Sequence, residues 1–247
     1  MKATHINIGT SGWSYKDWKG LYYPEGLKST EWLAYYANQF DITEINTSFY
    51  HLPKEQTVIN WAEKVPANFL FCPKISRYIT HMKKLHEPEE PLQRFFDVFD
   101  LIKKHLGPVL IQLPPSLTFD QDKAIHFFKL LQTTYKDYDF VLEVRHATWL
   151  EKEPLALMKK YNIGFVISQS GVGFPYSETI TAENIYVRFH GPDKLYASSY
   201  SNEMLQGFSK KFKKWIKEGH TLWVFFNNDW YGYAINNAEF LKELMTR

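Results

Sequence analysis

Residues 185–190, IYVRFH, decide the fold, because they combine a β-rich apolar run with a polar group at every second position. Successive side chains of a strand point to opposite faces, so Tyr186, Arg188 and His190 share one face. The other face is apolar, as expected where helices cover a parallel sheet. The segment therefore predicts a covered strand whose polar residues point away from the helices.

Seven further segments have the same β-rich character, and longer segments with helical periodicity lie between them. The strand candidates are 5–9, 42–46, 69–74, 109–113, 140–145, 163–167 and 221–226. The helix candidates are 30–40, 56–65, 89–105, 120–135, 154–161, 201–217 and 237–245. Strand–helix alternation predicts βαβ units and a parallel sheet.

We predict a single α/β domain over residues 1–247, a (β/α)8 TIM-like barrel, because this chain length is usual for one such barrel. A doubly wound sheet is the main alternative. The crossover over 169–184 has glycines, a proline and no apolar stripe, which predicts a loop over the barrel mouth.

Composition sets limits on location and partners. The formal net charge is +2, which permits an anionic ligand without requiring one. The lone cysteine, Cys72, rules out an intramolecular disulfide and favours a reducing compartment. The N-terminus has no signal-peptide pattern, and no apolar run is long enough to span a membrane. We therefore expect a cytoplasmic protein with no membrane partner, and leave its oligomeric state open.

Polar residues recur at the carboxyl ends of the predicted strands, where barrel enzymes carry their active sites. By alternation, each strand's polar residues share a face, and they should converge inside the upper barrel. The residues concerned are Glu44, Asn46, Gln112, Glu143, Arg145, Arg188, His190, Asn227 and Asp229. An unpaired buried charge costs about 3–5 kcal/mol, so Glu44 and Glu143 should pair with Arg145, Arg188 or a histidine.

Motifs along nearly the whole chain resemble those of the YecE-like family, a barrel family of unknown function. They are GTSGWSY at 9–15, EINTSFY at 44–50, RYITH at 77–81, QLPP at 112–115, EVRH at 143–146, YVRFHG at 186–191 and FNND at 226–229. The resemblance implies a TIM-like barrel and no established reaction. Many relatives carry an acidic residue at the end of strand six, where this chain has Ser168 and Gln169, which weakens any scheme that needs a carboxylate there.

We predict a catalytic set of carboxylates and one histidine, which could carry out general acid/base chemistry: Glu44, Glu143, His190 and Asp229. The predicted substrate-binding set combines cations, amides and aromatic residues: Trp13, Asn46, Tyr50, Lys74, Arg77, His81, Gln112, Arg145, His146, Trp149, Arg188, Asn227 and Asn228. Guanidinium groups fit phosphate or carboxylate oxygens, and rim aromatics stack on rings. Alternatively, the arginines only neutralise the glutamates, and the aromatics only plug the barrel top.

Three functions remain open on this basis. The first is an enzyme, such as a hydrolase or isomerase, acting on a small or extended anionic substrate at the mouth. The second is a non-catalytic module that binds a nucleotide or nucleic acid, which predicts salt-dependent binding. The third is a metal-dependent phosphodiester hydrolase, although no HxxxH or HExxH spacing supports it. We assign no cofactor and no metal ligand.

Overall fold

The computed structural model describes residues 6–171 and 173–246. Eight parallel strands run through this part of the chain, with helices around them. They are β1 (Ile6–Thr10), β2 (Ile42–Ile45), β3 (Leu70–Pro73), β4 (Val109–Gln112), β5 (Phe140–Glu143), β6 (Ile163–Gln169), β7 (Asn184–Phe189) and β8 (Thr221–Phe226). All eight predicted strands are present, and the first predicted residue, His5, lies outside the described residues.

The sheet closes almost completely into a barrel. Its strand order is β3-β2-β1-β8-β7-β6-β5-β4. Between the two end strands, Ile75 N donates to Leu110 O and Gly107 N to Phe71 O, both at 2.9 Å. The predicted (β/α)8 barrel is therefore confirmed over the doubly wound alternative.

The described helices are α1 (Trp32–Tyr36), α2 (Thr47–Tyr50), α3 (Glu55–Ala62), α4 (Glu89–Phe99), α5 (Gln121–Thr134), α6 (Lys152–Lys160), α7 (Asn202–Lys217) and α8 (Tyr233–Thr246). Asp120 caps α5 by accepting from Lys123 N at 3.0 Å, as its N-cap position predicts. Residues 89–105 are α-helical only to Phe99 and then tighten into a 3-10 turn, Asp100–His105.

The crossover between β6 and β7 has no helix among its described residues, in agreement with the predicted loop. None of the helices within 6–171 and 173–246 combines the length and apolar character needed to cross a bilayer.

Two clusters of buried apolar side chains stabilise the barrel. The larger lies between the strands and the surrounding helices. The smaller fills the barrel interior and consists of Ile42, Cys72, Leu110, Val141, Val166, Tyr186, Trp223 and Phe225. Because side chains two residues apart share a face, the next inward position on each strand lies one layer nearer the carboxyl ends.

Candidate functional site

That next layer is polar. Two residues beyond the inner-core positions, apart from Trp223, which is followed by Phe225 of the same core, lie Glu44, Lys74, Gln112, Glu143, Ser168, Arg188 and Asn227. Ser11 joins them from the end of β1 and donates to Glu44 Oε2 at 2.5 Å. An apolar plug below a polar layer brings the polar side chains to the C-terminal mouth of the barrel, where barrel enzymes carry their active sites.

Arg188 lies at the centre of this layer and bridges two carboxylates. Its Nε and Nη2 donate to the two oxygens of Glu44, at 2.8 Å each. Its Nη1 donates to Glu143 Oε2 at 2.7 Å. All three side chains are buried, with exposed fractions of 0–1%. Such a two-point guanidinium–carboxylate pair is the strong form of a charged hydrogen bond.

The two carboxylates also accept hydrogen bonds from other side chains. Glu44 accepts from Tyr186 Oη at 2.8 Å. Glu143 accepts from Arg145 Nη2 at 2.7 Å and from Ser168 Oγ at 2.8 Å. Burial raises the pKa of each carboxyl, but the arginines outweigh it, so the pKa of Glu44 lies below the ordinary 4.5 and that of Glu143 well below it. Both side chains are therefore carboxylates at neutral pH.

His190 is tied into the same network. Its Nε2 lies 2.9 Å from Glu143 Oε1, and its Nδ1 lies 3.0 Å from Asn227 Nδ2. Burial lowers the pKa of His190 to about 4, although Glu143 opposes the shift. The ring is therefore neutral at pH 7, with Nε2–H donating to Glu143 and Nδ1 accepting from Asn227. Neither ring nitrogen is free to exchange a proton with a substrate.

A cavity of about 270 Å³ opens above the network. Its wall consists of Tyr15, Asp17, Asn46, Tyr50, Lys74, Gln112, Arg188, Tyr196, Asn227, Asp229 and Trp230. Glu44, Glu143 and His190 are not part of that wall. The predicted residues that face this space are thus Asn46, Tyr50, Lys74, Gln112, Arg188, Asn227 and Asp229.

Lys74 follows β3 and is only 7% exposed. Its Nζ donates to Gln112 Oε1 at 2.7 Å and lies 4.0 Å from the centre of the Phe49 ring. Burial is the main cause that lowers the pKa of Lys74 to about 7, and the positive charge of Arg188 adds to it. Its amine is therefore divided between charged and neutral forms near pH 7.

Asp229 is held in the same wall, where Trp18 Nε1 donates to its main-chain carbonyl at 2.9 Å. Its Oδ1 is buried and has no hydrogen-bond partner among the described residues. Burial raises the pKa of Asp229 to about 8, against a hydrogen bond with the Tyr15 side chain that lowers it, and the negative charge of Glu44 adds to the rise. The side chain is therefore mostly a neutral acid at pH 7 and can donate a proton.

Arg145 lies beside the cavity, beneath the β6–β7 loop. The ring centre of Phe174 is 3.5 Å from its guanidinium carbon, and the same ring is edge-on to His190 at 5.6 Å. Nε and Nη1 of Arg145 are buried without a partner in the described part of the chain. The β6–β7 loop therefore packs Phe174 against Arg145 and His190, and its predicted cover of the mouth stays a prediction.

The family model described as "Protein of unknown function DUF72" matches residues 7–247. The chain belongs to the DUF72 family. This confirms the YecE-like resemblance, since the similar proteins include the UPF0759 protein YecE of Escherichia coli K12, 27% identical over 234 residues that cover 85% of this chain and 82% of the relative. The UPF0759 protein YunF of Bacillus subtilis is 26% identical and covers 97% and 94%.

Solved structures agree with the assignment. A DUF72 family protein from Thermotoga maritima has a crystal structure that superposes with a TM-score of 0.87 at 30% identity, covering 98% of this chain and all of the other. A DUF72 family protein from Enterococcus faecalis, at 22% identity and a TM-score of 0.83, supports the fold alone. None of these names states a reaction.

Trp149 of the DUF72 chain corrects one sequence prediction. We expected it to rim the mouth because it follows a strand, but it is 1% exposed, and its Nε1 donates to Leu117 O at 2.9 Å. It packs edge-on against Phe119 at 5.2 Å, on the helix side of the barrel. A 3-10 turn, Ala147–Leu150, carries the indole away from the mouth.

Two other residues of the DUF72 chain that were predicted to bind substrate instead stabilise loops. Asn228 is fully buried, and its Nδ2 donates to Ser198 O and Asn237 Oδ1, both at 2.9 Å. His146 accepts from Thr148 N at 3.3 Å and so caps the turn after β5. Neither side chain borders the mouth cavity.

Three further residues predicted to bind substrate, Arg77, His81 and Trp13, do not line the mouth cavity. Arg77 is exposed, and His81 packs edge-on against Phe49 at 5.0 Å. Burial and the charge of Lys74 lower the pKa of His81 to about 4. Trp13 borders a second cavity of about 400 Å³, which shares Asn46 and Tyr15 with the first.

Tyr196 is a wall residue that sequence reasoning missed. Its φ is +63°, and its N–H donates to His190 O at 2.6 Å. A non-glycine residue in this backbone region is uncommon and is often found at binding sites. It lies in an irregular loop, where no periodicity could have revealed it. Asp17, on the rim, was missed for the same reason.

A metal centre has no ligand set in the described ranges, since no group of three or more His, Cys, Asp or Glu side chains there could hold an ion. Glu44 and Glu143 instead accept hydrogen bonds from arginines, as described above. The third sequence hypothesis, metal-dependent hydrolysis, therefore gains no support from the arrangement of these donors.

Proposed function

We propose that this DUF72 protein is an enzyme that binds a small anionic substrate in the mouth cavity, with Lys74 as the cation and Asp229 as the acid. One observation carries the proposal. Among the described residues, no carboxylate oxygen lies within the 4.0 Å ion-pair distance of Lys74 Nζ, although the amine is buried.

The charge balance around Lys74 supports an anionic ligand. Glu44 and Glu143 contribute two negative charges, and Arg145 and Arg188 contribute two positive charges. The network is therefore neutral without Lys74, since His190 is uncharged at pH 7. Protonated Lys74 adds a charge that no carboxylate of the described residues compensates within ion-pair distance, and a buried unpaired charge is costly. An anion in the cavity would remove that cost and raise the pKa of the amine.

The two titratable groups of the wall suit acid/base catalysis. A catalytic acid or base works best when its pKa lies near the operating pH. The pKa of Asp229 at about 8 and that of Lys74 at about 7 both meet this condition. Titratable groups that line one cavity and have pKa values shifted towards neutrality are typical of active sites.

This proposal changes the roles inferred from sequence. Glu44, Glu143 and His190 were predicted to exchange protons with the substrate. Their hydrogen bonds favour a different role. They fix the positions of Arg188 and Arg145 and balance the charges of these arginines in the network that forms the floor of the cavity. We assign proton transfer to Asp229, the fourth member of the predicted catalytic set, and keep Arg188 as part of the floor.

The experiment is a substrate screen with matched variants. The wild type, Asp229→Asn, Lys74→Gln and Lys64→Gln are incubated with phosphate- and carboxylate-bearing sugars and acids, and products are detected by mass spectrometry. We expect wild type and Lys64→Gln to convert the same compound, and Asp229→Asn to be about 10²–10⁴ times slower while still binding it. Conversion by Asp229→Asn at the wild-type rate, or no anion bound by wild type in a thermal-shift assay, would contradict the proposal.

A further inference from the structure

We propose that the Lys74 amine is a covalent nucleophile that forms an imine with an aldehyde or ketone group of the substrate. This inference rests on the proposed anion-binding function of the cavity and adds the chemical class of the substrate. That class is a carbonyl compound that also carries a carboxylate or phosphate group.

The geometry leaves the Lys74 nitrogen available for attack. Within the described residues it donates one hydrogen bond, to Gln112 Oε1 at 2.7 Å, so the lone pair of the neutral amine is not used. The Phe49 ring, 4.0 Å away, packs against the amine and restricts its rotamers. The amine therefore forms part of the cavity wall at a fixed position, as a nucleophile must.

Before the anionic group of the substrate binds, the surroundings keep a large fraction of the amine in the neutral, nucleophilic form. Burial disfavours the ammonium, and the positive charges of Arg188 and Arg145 disfavour it further. A lysine that is desolvated or placed beside another cation is the usual form of an imine-forming lysine. Exposed lysines, with an ordinary pKa near 10.4, remain almost fully protonated at pH 7.

Asp229 supplies the proton that the step requires. The lone pair of Lys74 Nζ attacks the carbonyl carbon, a C–N bond forms, and the carbonyl π electrons move to oxygen, which takes the Asp229 proton. The nitrogen returns one proton to the Asp229 carboxylate, which then protonates the hydroxyl, and this group leaves as water. The balance is amine plus carbonyl plus carboxylic acid, giving protonated imine, carboxylate and water, with no change of oxidation state.

The protonated imine suits this cavity. Its positive charge stays at the position of Lys74 and continues to attract the anionic group of the substrate. Asp229, now a carboxylate in the same wall, becomes a base that can remove a proton from the carbon next to the imine. The same pair of residues could therefore serve both the formation of the adduct and the chemistry that follows it.

The test is reductive trapping with glyoxylate, a small anionic aldehyde, and cyanoborohydride at pH 7, followed by peptide mapping. Reduction of the imine leaves a carboxymethyl group on the modified lysine. We expect Lys74 to be modified on the order of tenfold to hundredfold faster than exposed lysines such as Lys64, because its neutral fraction is larger but its nucleophilicity lower. Inorganic phosphate should protect Lys74 and leave Lys64 unaffected.

Two variants sharpen the test. Lys74→Arg keeps a positive charge but cannot form an imine, so its modification should be confined to exposed lysines. Asp229→Asn should slow modification of Lys74 about tenfold or more and leave Lys64 unchanged. Modification of exposed lysines with Lys74 unmodified would overturn the inference. If phosphate still binds wild type in that case, the anion site stands and the imine alone fails; if phosphate does not bind either, both proposals fail.

Discussion

Arg188 and Glu44 form a two-point ion pair across the barrel interior, with Nε–Oε1 and Nη2–Oε2 distances of 2.8 Å each. The pair joins β7 to β2, which are not neighbours in the sheet. The third contact of the guanidinium, to Glu143, adds β5. One side chain therefore connects three strands immediately below the mouth cavity.

The first prediction concerns Arg188. Arg188→Met leaves two buried carboxylates without their main partner, so we expect a loss of about 3–5 kcal/mol in unfolding free energy, measured by urea denaturation. Arg94→Met is the matched control, because Arg94 forms an exposed pair with Glu90 and should cost less than about 1 kcal/mol. Equal losses in the two variants would show that the buried pair has no special role.

The second prediction is a loss of stability in acid. The pKa of Glu143 is well below 4.5 in the folded protein, so the unfolded chain binds protons first as the pH falls. The stability that this group contributes is present above about pH 4.5 and is lost as the pH falls towards its folded pKa. Glu143→Gln should therefore flatten the decline of unfolding free energy between pH 5 and 3, and an unchanged slope would refute the ionised state assigned to Glu143.

The third prediction concerns the lowered pKa of Lys74. Its folded pKa of about 7 is below the ordinary 10.5, so the unfolded chain gains a proton first as the pH falls from 10 to 7. Stability is thereby lost over this range. Lys74→Met removes the effect, and the melting temperature of the variant relative to wild type should rise between pH 10 and pH 7. A difference that is constant with pH would mean that Lys74 titrates as an ordinary lysine.

The fourth prediction concerns Asp229. Its folded pKa of about 8 is above the ordinary 3.8, so stability falls as the pH rises from about 4 to about 8, because the unfolded chain releases the proton first. Asp229→Asn should therefore be relatively more stable at pH 8 than at pH 4, in paired denaturation curves. Asp17→Asn, a change at an exposed carboxyl of the rim, serves as the comparison. A relative stability that does not change between these pH values would contradict the raised pKa.

Alternation along strands accounts for what could be predicted of the site. Glu44, Glu143 and Arg188 had to share the barrel interior, since a covered strand cannot turn charged side chains towards apolar helices. Their pairing followed from the cost of leaving a buried charge alone. The fold was predictable for the same reason, because eight such strands alternate with helical segments along the chain.

The sequence could not show which charged side chain would have no ion-pair partner. Among the described residues Lys74 has no carboxylate partner, because Arg188 and Arg145 pair with both glutamates, and that depends on side-chain reach across the barrel. Trp149 was misplaced because a residue after a strand takes its direction from the local turn. The direction of the indole is set by the 3-10 geometry of Ala147–Leu150, which leaves no periodic signal.

Calorimetric titration with inorganic phosphate near pH 7 tests the central claim most directly, that Lys74 is the uncompensated cation of an anion site. We predict that wild type and Lys64→Gln bind phosphate equally and that Lys74→Gln binds at least about tenfold more weakly. Equal affinity of Lys74→Gln and wild type would contradict it.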